Sequence, residues 1–363
     1  MPSSPDTILY YFSGTGNSWR LAERIAAEHG SATPRSIERG LHPDHDAAQH
    51  HAFFFPVYAF GLPPIMSRFL KSLPPAEGRS AFAVVALGDI KPPPYWLPGY
   101  EGSALYQARA ILRRKGYHRI SDLAAHMPEN YVVVGNTPSP ETAAAIRAAG
   151  ETQVAEGWQR HLSGGVVRTR RFLLWRLLLT PIYWSWRLAG RRLTGKSFGA
   201  DDRCNACEAC ARRCPVGAIA MEAGRPRWRW NCENCLRCLS ACPQSAVQIS
   251  WFLLLAFTVL FWPASLLARW LLVLPPMRLS ALPYGIGVTL TLAVELSCYV
   301  ALAVFFDNAI RQSLRWRVFR RLLALTYYTR RLRRYLAPGF PSNDLQGAGQ
   351  GASYLPAEAN RRD

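Results

Sequence analysis

The first 165 residues alternate between short apolar runs and segments of helical periodicity. In residues 17–29 the side chains of Trp19, Ala22 and Ile25 fall on one face, which predicts an amphipathic helix, and a second helix is predicted from about Pro64. Apolar runs predict strands at residues 7–12, 33–38, 51–56, 80–88 and 130–135. Because short strands alternate with helices, the pattern predicts an α/β fold with a doubly wound parallel sheet.

Two much longer apolar stretches follow residue 250. Residues 251–274 contain one charged side chain, Arg269, and residues 284–306 also contain one, Glu295. Each stretch is long enough to cross about 30 Å of hydrocarbon at about 1.5 Å of rise per residue. The pattern therefore predicts a two-helix transmembrane hairpin, and a buried core in a soluble protein is the alternative. Cys298 lies in the second stretch and is predicted to be a small packing residue.

The charge distribution supports the membrane interpretation. The chain of 363 residues has a net charge of +19, and its arginines concentrate at residues 168–192 and 311–334, beside the apolar stretches. Such an excess of basic residues suits nucleic acid or an anionic membrane surface. No nucleic-acid-binding motif accompanies the arginines, so the prediction is no nucleic acid and an anionic membrane surface as partner. The positive-inside rule then places the hairpin in the cell membrane with the other domains on the cytoplasmic side.

The basic segment at residues 168–192 lies between the predicted domains. Its polar stripe on a helical wheel consists of Arg176, Thr180, Arg187 and Arg191. The remaining positions are mostly leucine, tryptophan and tyrosine, and Pro181 is predicted to kink the helix. The segment is too short and too charged to cross a bilayer. Two interpretations stay open, which are a helix lying on the membrane surface and a connector buried between two domains.

The loop between the first strand and the first helix has the sequence FSGTGNS. Its candidate ligand groups belong to Ser13, Gly14, Thr15, Gly16, Asn17 and Ser18. Because the free backbone N–H groups of a helix N-terminus attract anions, this loop predicts a phosphate site. The loop lacks the lysine of a triphosphate-binding loop and the G-x-G-x-x-G spacing of a dinucleotide-binding loop. A single phosphate monoester fits best, and an ordinary glycine-rich turn is the alternative.

Eight of the nine cysteines form two runs with the spacing C-x2-C-x2-C-x3-C-P. The runs are Cys204, Cys207, Cys210 and Cys214, and Cys232, Cys235, Cys238 and Cys242. This is the bacterial two-cluster ferredoxin pattern, in which the fourth cysteine of one run binds the cluster of the other. It predicts two [4Fe–4S] clusters, one on Cys204, Cys207, Cys210 and Cys242, the other on Cys232, Cys235, Cys238 and Cys214. Zinc would leave the third cysteine of each run unexplained, and disulfides conflict with a reducing cytoplasm.

The motifs together resemble those of known protein families. The loop at residues 12–18 resembles the phosphate loop of flavodoxins, and two later loops occupy the places of their flavin-contacting loops. The resemblance implies FMN contacts from the phosphate loop and from Pro56, Val57, Tyr58, Ala59, Phe60, Gly61, Gly88 and Asp89. Further aromatic candidates are Tyr95, Trp96 and Tyr100. Over residues 6–250 the chain resembles bacterial and archaeal flavodoxin–ferredoxin fusion proteins.

The resemblance implies an electron-transfer protein. The predicted architecture is a flavodoxin-like domain, a basic connector, a small α+β ferredoxin-like domain, a transmembrane hairpin and a basic helix with a disordered tail, at residues 1–165, 166–196, 197–250, 251–310 and 311–363. The predicted function is a membrane-anchored flavoprotein that passes electrons between FMN, two clusters and a redox partner protein or membrane acceptor. The alternative is an FMN-dependent reductase that binds a quinone or a corrinoid over the flavin.

Overall fold

The structure is a computed structural model that describes residues 6–29, 32–38, 48–94, 99–169, 172–273 and 284–341. Its N-terminal part contains the strands β1 (Thr7–Tyr11), β2 (Pro34–Ser36), β3 (His50–Pro56), β4 (Ser80–Asp89) and β5 (Arg119–Pro128). The helices of this part are α1 (Asn17–His29), α2 (Pro64–Ser72), α3 (Ala104–Arg114) and α4 (Pro140–Leu162). The predicted starts of the first two helices, at Asn17 and Pro64, agree with these bounds.

The five strands form one parallel sheet in the order β2-β1-β3-β4-β5. This is the strand order of flavodoxin-like doubly wound folds, in which ligands bind outside the carboxyl ends of the strands. Both faces of the sheet are covered, since Phe53 and Phe55 belong to one buried cluster and Phe54 to the other. Burial on both faces explains why β3 reads as a continuous apolar run. The predicted fold class is confirmed.

The prediction of a strand at residues 130–135 is wrong. The last strand is β5, an edge strand whose polar residues hid it from the pattern. Asp122 in β5 accepts a hydrogen bond from Arg109 at 3.2 Å, and Ser121 is hydrogen-bonded to His161 at 2.9 Å. The apolar residue Val132 is instead fully buried in the cluster that surrounds the cysteines of the second domain. Its hydrophobicity therefore serves the contact between domains and not the sheet.

A helical connector leads from the sheet domain to the cysteines. It consists of α5 (Leu173–Ser185), a π-helical turn (Trp186–Gly190) and α6 (Arg191–Lys196). The helix continues through Pro181 and loosens only after Ser185. The ferredoxin-like part then pairs β6 (Phe198–Ala200) with β9 (Val247–Ile249) and β7 (Ile219–Glu222) with β8 (Arg225–Trp228), all antiparallel. Its short helices are α7 (Ala209–Arg212) and α8 (Arg237–Ser240).

The two apolar stretches form helices. They are α9 (Trp251–Val259), α10 (Phe261–Val273) and α11 (Tyr284–Ser313), and two segments, Trp251–Leu271 and Ile286–Ser313, are long and apolar enough to cross a membrane. Ala264 and Ala268 are buried against Cys298, which therefore lies at the contact between the helices. In the same contact Ser265 donates a hydrogen bond to Glu295 at 3.0 Å. Small residues and an interhelical hydrogen bond are typical of helix packing in membranes.

The chain after α11 returns to the sheet domain. Helix α12 (Arg317–Ala324) and a 3₁₀ turn (Tyr328–Arg331) precede an extended segment at residues 332–341. In that segment Tyr335, Ala337 and Phe340 are buried in a cluster with Trp19 of α1. The tail predicted to be disordered, residues 343–363, lies outside the described residues.

Candidate functional site

The structure brings the eight motif cysteines together in two sets of four. One small cavity is lined by Cys204, Cys207, Cys210 and Cys242, and a second is lined by Cys214, Cys232, Cys235 and Cys238. In each set, three cysteines come from one run and the fourth comes from the other. Within the described residues, no three His, Cys, Asp or Glu side chains converge closely enough for a single metal ion. Each set instead lines the wall of a cavity, an arrangement with the ligand number and type that a four-iron cluster requires.

The loops around the cavities repeat the same backbone conformation. Positive φ angles occur at Ala206 (59°) and Glu208 (61°) in the first run, and at Asn234 (54°) and Leu236 (59°) in the second. The equivalent positions carry ordinary side chains, so each costs about 1–3 kcal/mol of backbone strain. The left-handed residues curl each run so that its first three cysteines point to one side. The surrounding structure holds this strain, which is typical of a ligand clamp.

The cysteine sulfurs are polar acceptors in an apolar environment. The backbone N–H of Ala218 donates to Cys214 Sγ at 3.2 Å, and that of Ala246 donates to Cys242 Sγ at 3.3 Å. Burial, followed by the nearby Cys242 and Cys204, raises the pKa of Cys210 to about 12. Thiols in such positions lose their protons only when a metal compensates the negative charge, so cluster assembly would release protons here.

The phosphate loop lies directly against the second cysteine run. A Cβ atom on Gly14 would overlap the backbone of Cys235, so only glycine permits this contact. The buried guanidinium of Arg237 donates to the carbonyl oxygen of Ser13 at 2.5 Å and to that of Gly14 at 3.3 Å. Arg237 also forms a salt bridge with Glu38. The loop predicted to hold a phosphate and the run predicted to hold a cluster therefore form one contact surface.

The residues of the phosphate loop are buried and mostly hydrogen-bonded. Ser13 Oγ accepts from the N–H of Gly16 at 3.0 Å, and the Asn17 amide donates to the carbonyl of Pro128 at 2.8 Å. Among the described residues, the buried atoms Asn17 Oδ1 and Ser18 Oγ have no hydrogen-bond partner. The Ser18 hydroxyl lies at the N-terminus of α1, where backbone N–H groups favour an anion. Ser18 fits a phosphate, because a phosphate oxygen would accept the hydrogen of its free hydroxyl.

The predicted second flavin loop is covered by the connector. Tyr58 lies 5.7 Å from the ring of Trp186 and 6.2 Å from that of Phe12, measured between ring centroids. Tyr183 is fully buried against Gly61, and its hydroxyl donates to the carbonyl of Leu62 at 2.9 Å. The neighbouring residues Pro56, Val57 and Ala59 are half-buried. The loop at residues 56–61 is thus held between the sheet and the connector.

The third predicted loop begins at Gly88 and Asp89. The Asp89 carboxylate lies 2.5 Å from His126 Nδ1, and the Glu129 carboxylate lies against Gly88. Tyr100 is half exposed, and its ring centroid lies 6.0 Å from that of Phe60 in the second loop. The second and third loops therefore meet at an aromatic pair. The two remaining aromatic candidates, Tyr95 and Trp96, lie outside the described residues.

The polar stripe of the connector faces the protein. Arg176 lies 4.4 Å from the ring centroid of Tyr106 in the sheet domain, and Arg191 donates to the carbonyl of Cys232 at 3.0 Å. Arg187 donates at 2.9 Å to the hydroxyl of Tyr183, a buried residue of the connector itself. The opposite face exposes large apolar side chains at Leu173, Leu174, Trp175, Leu177, Leu178, Ile182, Trp184 and Leu188. The connector therefore combines features of both interpretations, because it joins the domains through its arginines and leaves a leucine and tryptophan face uncovered.

The sequence did not single out several residues of this site. Asn130 Nδ2 donates to Thr15 Oγ1 at 2.5 Å, and Ala337 N donates to the carbonyl of Thr15 at 2.8 Å. Ala337 and Phe340 also lie against Gly16. The only available signal was the run YLAPGF, which is rich in apolar residues within an otherwise basic C-terminal segment. Arg237 gave no signal at all, since it is one of many arginines.

Comparisons with known proteins found one matching family and several similar solved structures. Residues 198–243 match the family of 4Fe-4S dicluster domains. Solved structures similar to the chain include a flavodoxin from the domain Archaea, at 17% identity over 41% of this chain and 96% of that chain, with a TM-score of 0.27. The Megasphaera elsdenii flavodoxin is similar at 16% identity over 41% of this chain and 98% of that chain, with a TM-score of 0.27. The azoreductase AzrA is similar at 12% identity over 41% of this chain and 97% of that chain, with a TM-score of 0.29. No curated protein matches the chain. Residues 198–243 therefore match dicluster iron–sulfur domains, and the flavodoxin-like fold of the N-terminal part follows from its own strand order, β2-β1-β3-β4-β5.

Proposed function

We propose that this chain is a membrane-anchored electron-transfer protein that holds FMN at the phosphate loop and two [4Fe–4S] clusters at the cysteine sets. FMN accepts a pair of electrons or single electrons, and each cluster exchanges single electrons. The residues that would hold the FMN phosphate are those of the loop at residues 13–18, with Ser18 as a hydroxyl donor. The eight motif cysteines would hold the clusters. The redox partner is a soluble protein or a membrane acceptor.

The observation that carries this proposal is the contact between Gly14 and Cys235. Electron transfer needs closely spaced cofactors held in a fixed arrangement. Arg237 fixes the arrangement here, because its buried guanidinium binds two carbonyls of the phosphate loop while its backbone belongs to the second cysteine run. Tyr58 and Trp186 close the same contact from the connector side. The chain's own residues thus join the two candidate cofactor sites without an intervening layer of solvent.

The membrane anchor is supported by two surfaces. Helices α9 to α11 supply two segments of sufficient length and hydrophobicity. The connector supplies an uncovered apolar face that includes Trp175 and Trp184, each 50% exposed. A helix with its polar stripe bound to protein and its apolar face uncovered suits a position in the membrane interface. In the proposed orientation, the arginines after α11 lie on the cytoplasmic side together with the cofactor domains.

The experiment that tests this function is anaerobic purification followed by cofactor analysis of matched variants. The wild-type chain is expected to contain FMN and about eight iron atoms, since each cluster holds four. Thr15→Ala combined with Ser18→Ala is expected to lower FMN affinity at least tenfold, because each hydrogen bond to a charged group contributes about 1.5–3 kcal/mol. Iron content is expected to stay unchanged.

A control for this variant is Thr152→Ala combined with Ser163→Ala. Both hydroxyls donate only to nearby helix carbonyls in the same domain, at 3.0 Å. This control is expected to retain FMN. Wild-type protein without flavin, or a loop variant that keeps its flavin, would remove FMN from the proposal. If the wild type contains FMN and the control variant retains it, reduction of the wild type by NADH, NADPH or reduced ferredoxin identifies the class of electron donor.

A further inference from the structure

A large cavity lies where the hairpin leaves the ferredoxin-like domain. Its volume is about 600 Å³, and it is bounded by β6, β8, the first turns of α9, the last turns of α11, and α12. Its apolar wall consists of Leu253, Phe257, Ile310, Leu314 and Leu323. The cavity is separate from the cysteine sets and from the phosphate loop. It touches their surroundings only through Phe198 and Pro226, which also line the two cysteine cavities.

The polar wall of this cavity is strongly basic. Its cations are Lys196, Arg225, Arg227, Arg311, Arg315 and Arg320, and its anions are Glu222 and Asp307. Both anions already have partners, since Asp307 lies 2.6 Å from Lys196 and Glu222 lies 3.9 Å from Arg227. Among the described residues, Arg311, Arg315 and Arg320 form no salt bridge with a carboxylate. The cavity therefore has an excess of positive charge that its own residues do not compensate.

The apolar wall and the basic wall of the cavity both lie at the base of the hairpin, where α9 begins and α11 ends. Leu253 and Phe257 lie in the first two turns of α9, and Ile310 and Leu314 lie at the end of α11. If residues of the hairpin above this level are in hydrocarbon, then the arginines of the cavity lie at the level of lipid headgroups. A ligand that matches both walls has an anionic group and an apolar chain. A free phosphate would leave the apolar wall uncovered, and a neutral lipid would leave the arginines without a counter-charge.

We propose that this cavity binds the headgroup of an anionic phospholipid, with its phosphate among Arg311, Arg315 and Arg320 and its apolar part against Phe257 and its neighbours. Basic cavities beside transmembrane helices on the cytoplasmic side are suited to such headgroups. The inference rests on the proposed membrane insertion of the hairpin. It does not depend on FMN or on the direction of electron flow. The bound lipid would tie α12 and the ferredoxin-like domain to the base of the hairpin.

The test is a binding titration of the detergent-purified, delipidated full-length holoprotein, followed by native mass spectrometry. The probes are phosphatidylglycerol, phosphatidylcholine with the same acyl chains, and glycerol 3-phosphate. Phosphatidylglycerol is expected to bind at least tenfold more tightly than either other probe. Arg311→Gln combined with Arg315→Gln is expected to remove about tenfold or more of this preference, because each basic residue near a membrane surface contributes about 1 kcal/mol.

The matched control is Arg317→Gln combined with Arg321→Gln. It removes the same charge from the same stretch of chain, but neither residue lines the cavity. This control is expected to keep the lipid preference. Equal losses in the two variants, equal binding of the two lipids, or equally tight binding of glycerol 3-phosphate would overturn the lipid site. Flotation with vesicles after a carbonate wash measures insertion separately, so a failed lipid site with normal flotation leaves the proposed anchor standing.

Discussion

The two cysteine runs have the same spacing but opposite surroundings. In the first run, the loop that contains Asn205 and Cys207 is exposed to solvent. In the second run, the equivalent loop at residues 232–237 is buried except for partial exposure of Cys235. Both runs have the same backbone conformation, with positive φ angles at equivalent positions. The motif alone therefore does not explain the difference in exposure. The difference comes from the side chains between the cysteines.

Glu233 and Arg237 distinguish the second run from the first. The Glu233 carboxylate is 1% exposed and lies 2.9 Å from Arg68 of α2 and 3.9 Å from Arg191 of the connector. The equivalent positions in the first run are Asn205 and Ala209, and among the described residues neither forms a hydrogen bond or salt bridge with the sheet domain. The second run therefore faces the flavodoxin-like domain and is the inner run, whereas the first run faces outward and is the outer run. In the proposed function, the inner run exchanges electrons with the flavin and the outer run exchanges them with the partner.

The largest expected effect comes from breaking one cysteine set while sparing the other. Cys214 belongs to the first run in sequence but lines the cavity of the second. We expect Cys214→Ala to reduce iron from about eight to about four atoms per chain, with loss of the inner cluster. Paramagnetic resonance of the reduced protein measures which signal disappears.

The control and the contradicting result follow from the same spectra. Cys298→Ala changes a cysteine between the hairpin helices and is expected to leave both signals unchanged. Cys232→Ala is expected to remove the same signal as Cys214→Ala, and Cys204→Ala the other one. If Cys214→Ala and Cys204→Ala removed the same signal alone, the fourth cysteines would not cross between the runs.

These expectations show how much of the site the sequence determines. The two-cluster motif predicted two crossed sets of four cysteines, and the same sets line the two cavities. The parallel sheet follows from alternating apolar strands and helices. The position of β5 does not follow, because an edge strand with Asp122 and His126 has polar partners that the sequence does not reveal. The contact of Phe340 with the phosphate loop joins residues more than 300 positions apart, and no local pattern reports such a contact.

The second prediction concerns Arg237→Ala, a substitution that makes the inner run more like the outer run. The equivalent position in the first run is Ala209, so the variant has the same residue type at this position in both runs. The substitution leaves the Glu38 carboxylate and two loop carbonyls without their buried partner. We expect a loss of about 3–5 kcal/mol in the free energy of unfolding, as for other broken buried ion pairs. Chemical denaturation of the reconstituted protein, monitored by cluster absorbance, measures this loss.

Arg212→Ala provides the comparison for this variant. Arg212 lies in the first run and pairs with Glu208 at 3.9 Å, with both side chains substantially exposed. An exposed pair of this kind contributes about 0–1 kcal/mol. If the two variants had equal stability, the buried arginine would not be what joins the inner run to the phosphate loop.

A smaller effect is expected from neutralising the second residue that distinguishes the runs. Glu233→Gln keeps the shape of the side chain but removes the charge that binds Arg68 and Arg191. We expect a loss of about 1–3 kcal/mol, because Arg191 is left buried with weaker acceptors. Asn205→Gln, the equivalent position in the outer run, is expected to have no measurable effect. Equal changes at the two positions would mean that Glu233 does not anchor the inner run.

The smallest effect concerns one hydrogen bond at the edge of the same contact. The Asn234 amide of the inner run donates to the Tyr131 hydroxyl at 3.2 Å, and burial raises the pKa of Tyr131, which keeps the phenol protonated at neutral pH. Tyr131→Phe removes the acceptor and preserves the ring. We expect a loss of about 1 kcal/mol in the free energy of unfolding. Tyr100→Phe, at an exposed position in the third loop, is the control and should leave stability unchanged. The position equivalent to Asn234 in the outer run is Ala206, which has no side-chain amide. If Tyr131→Phe were as stable as the wild type, the contact between the inner run and the sheet domain would depend on its charged residues alone.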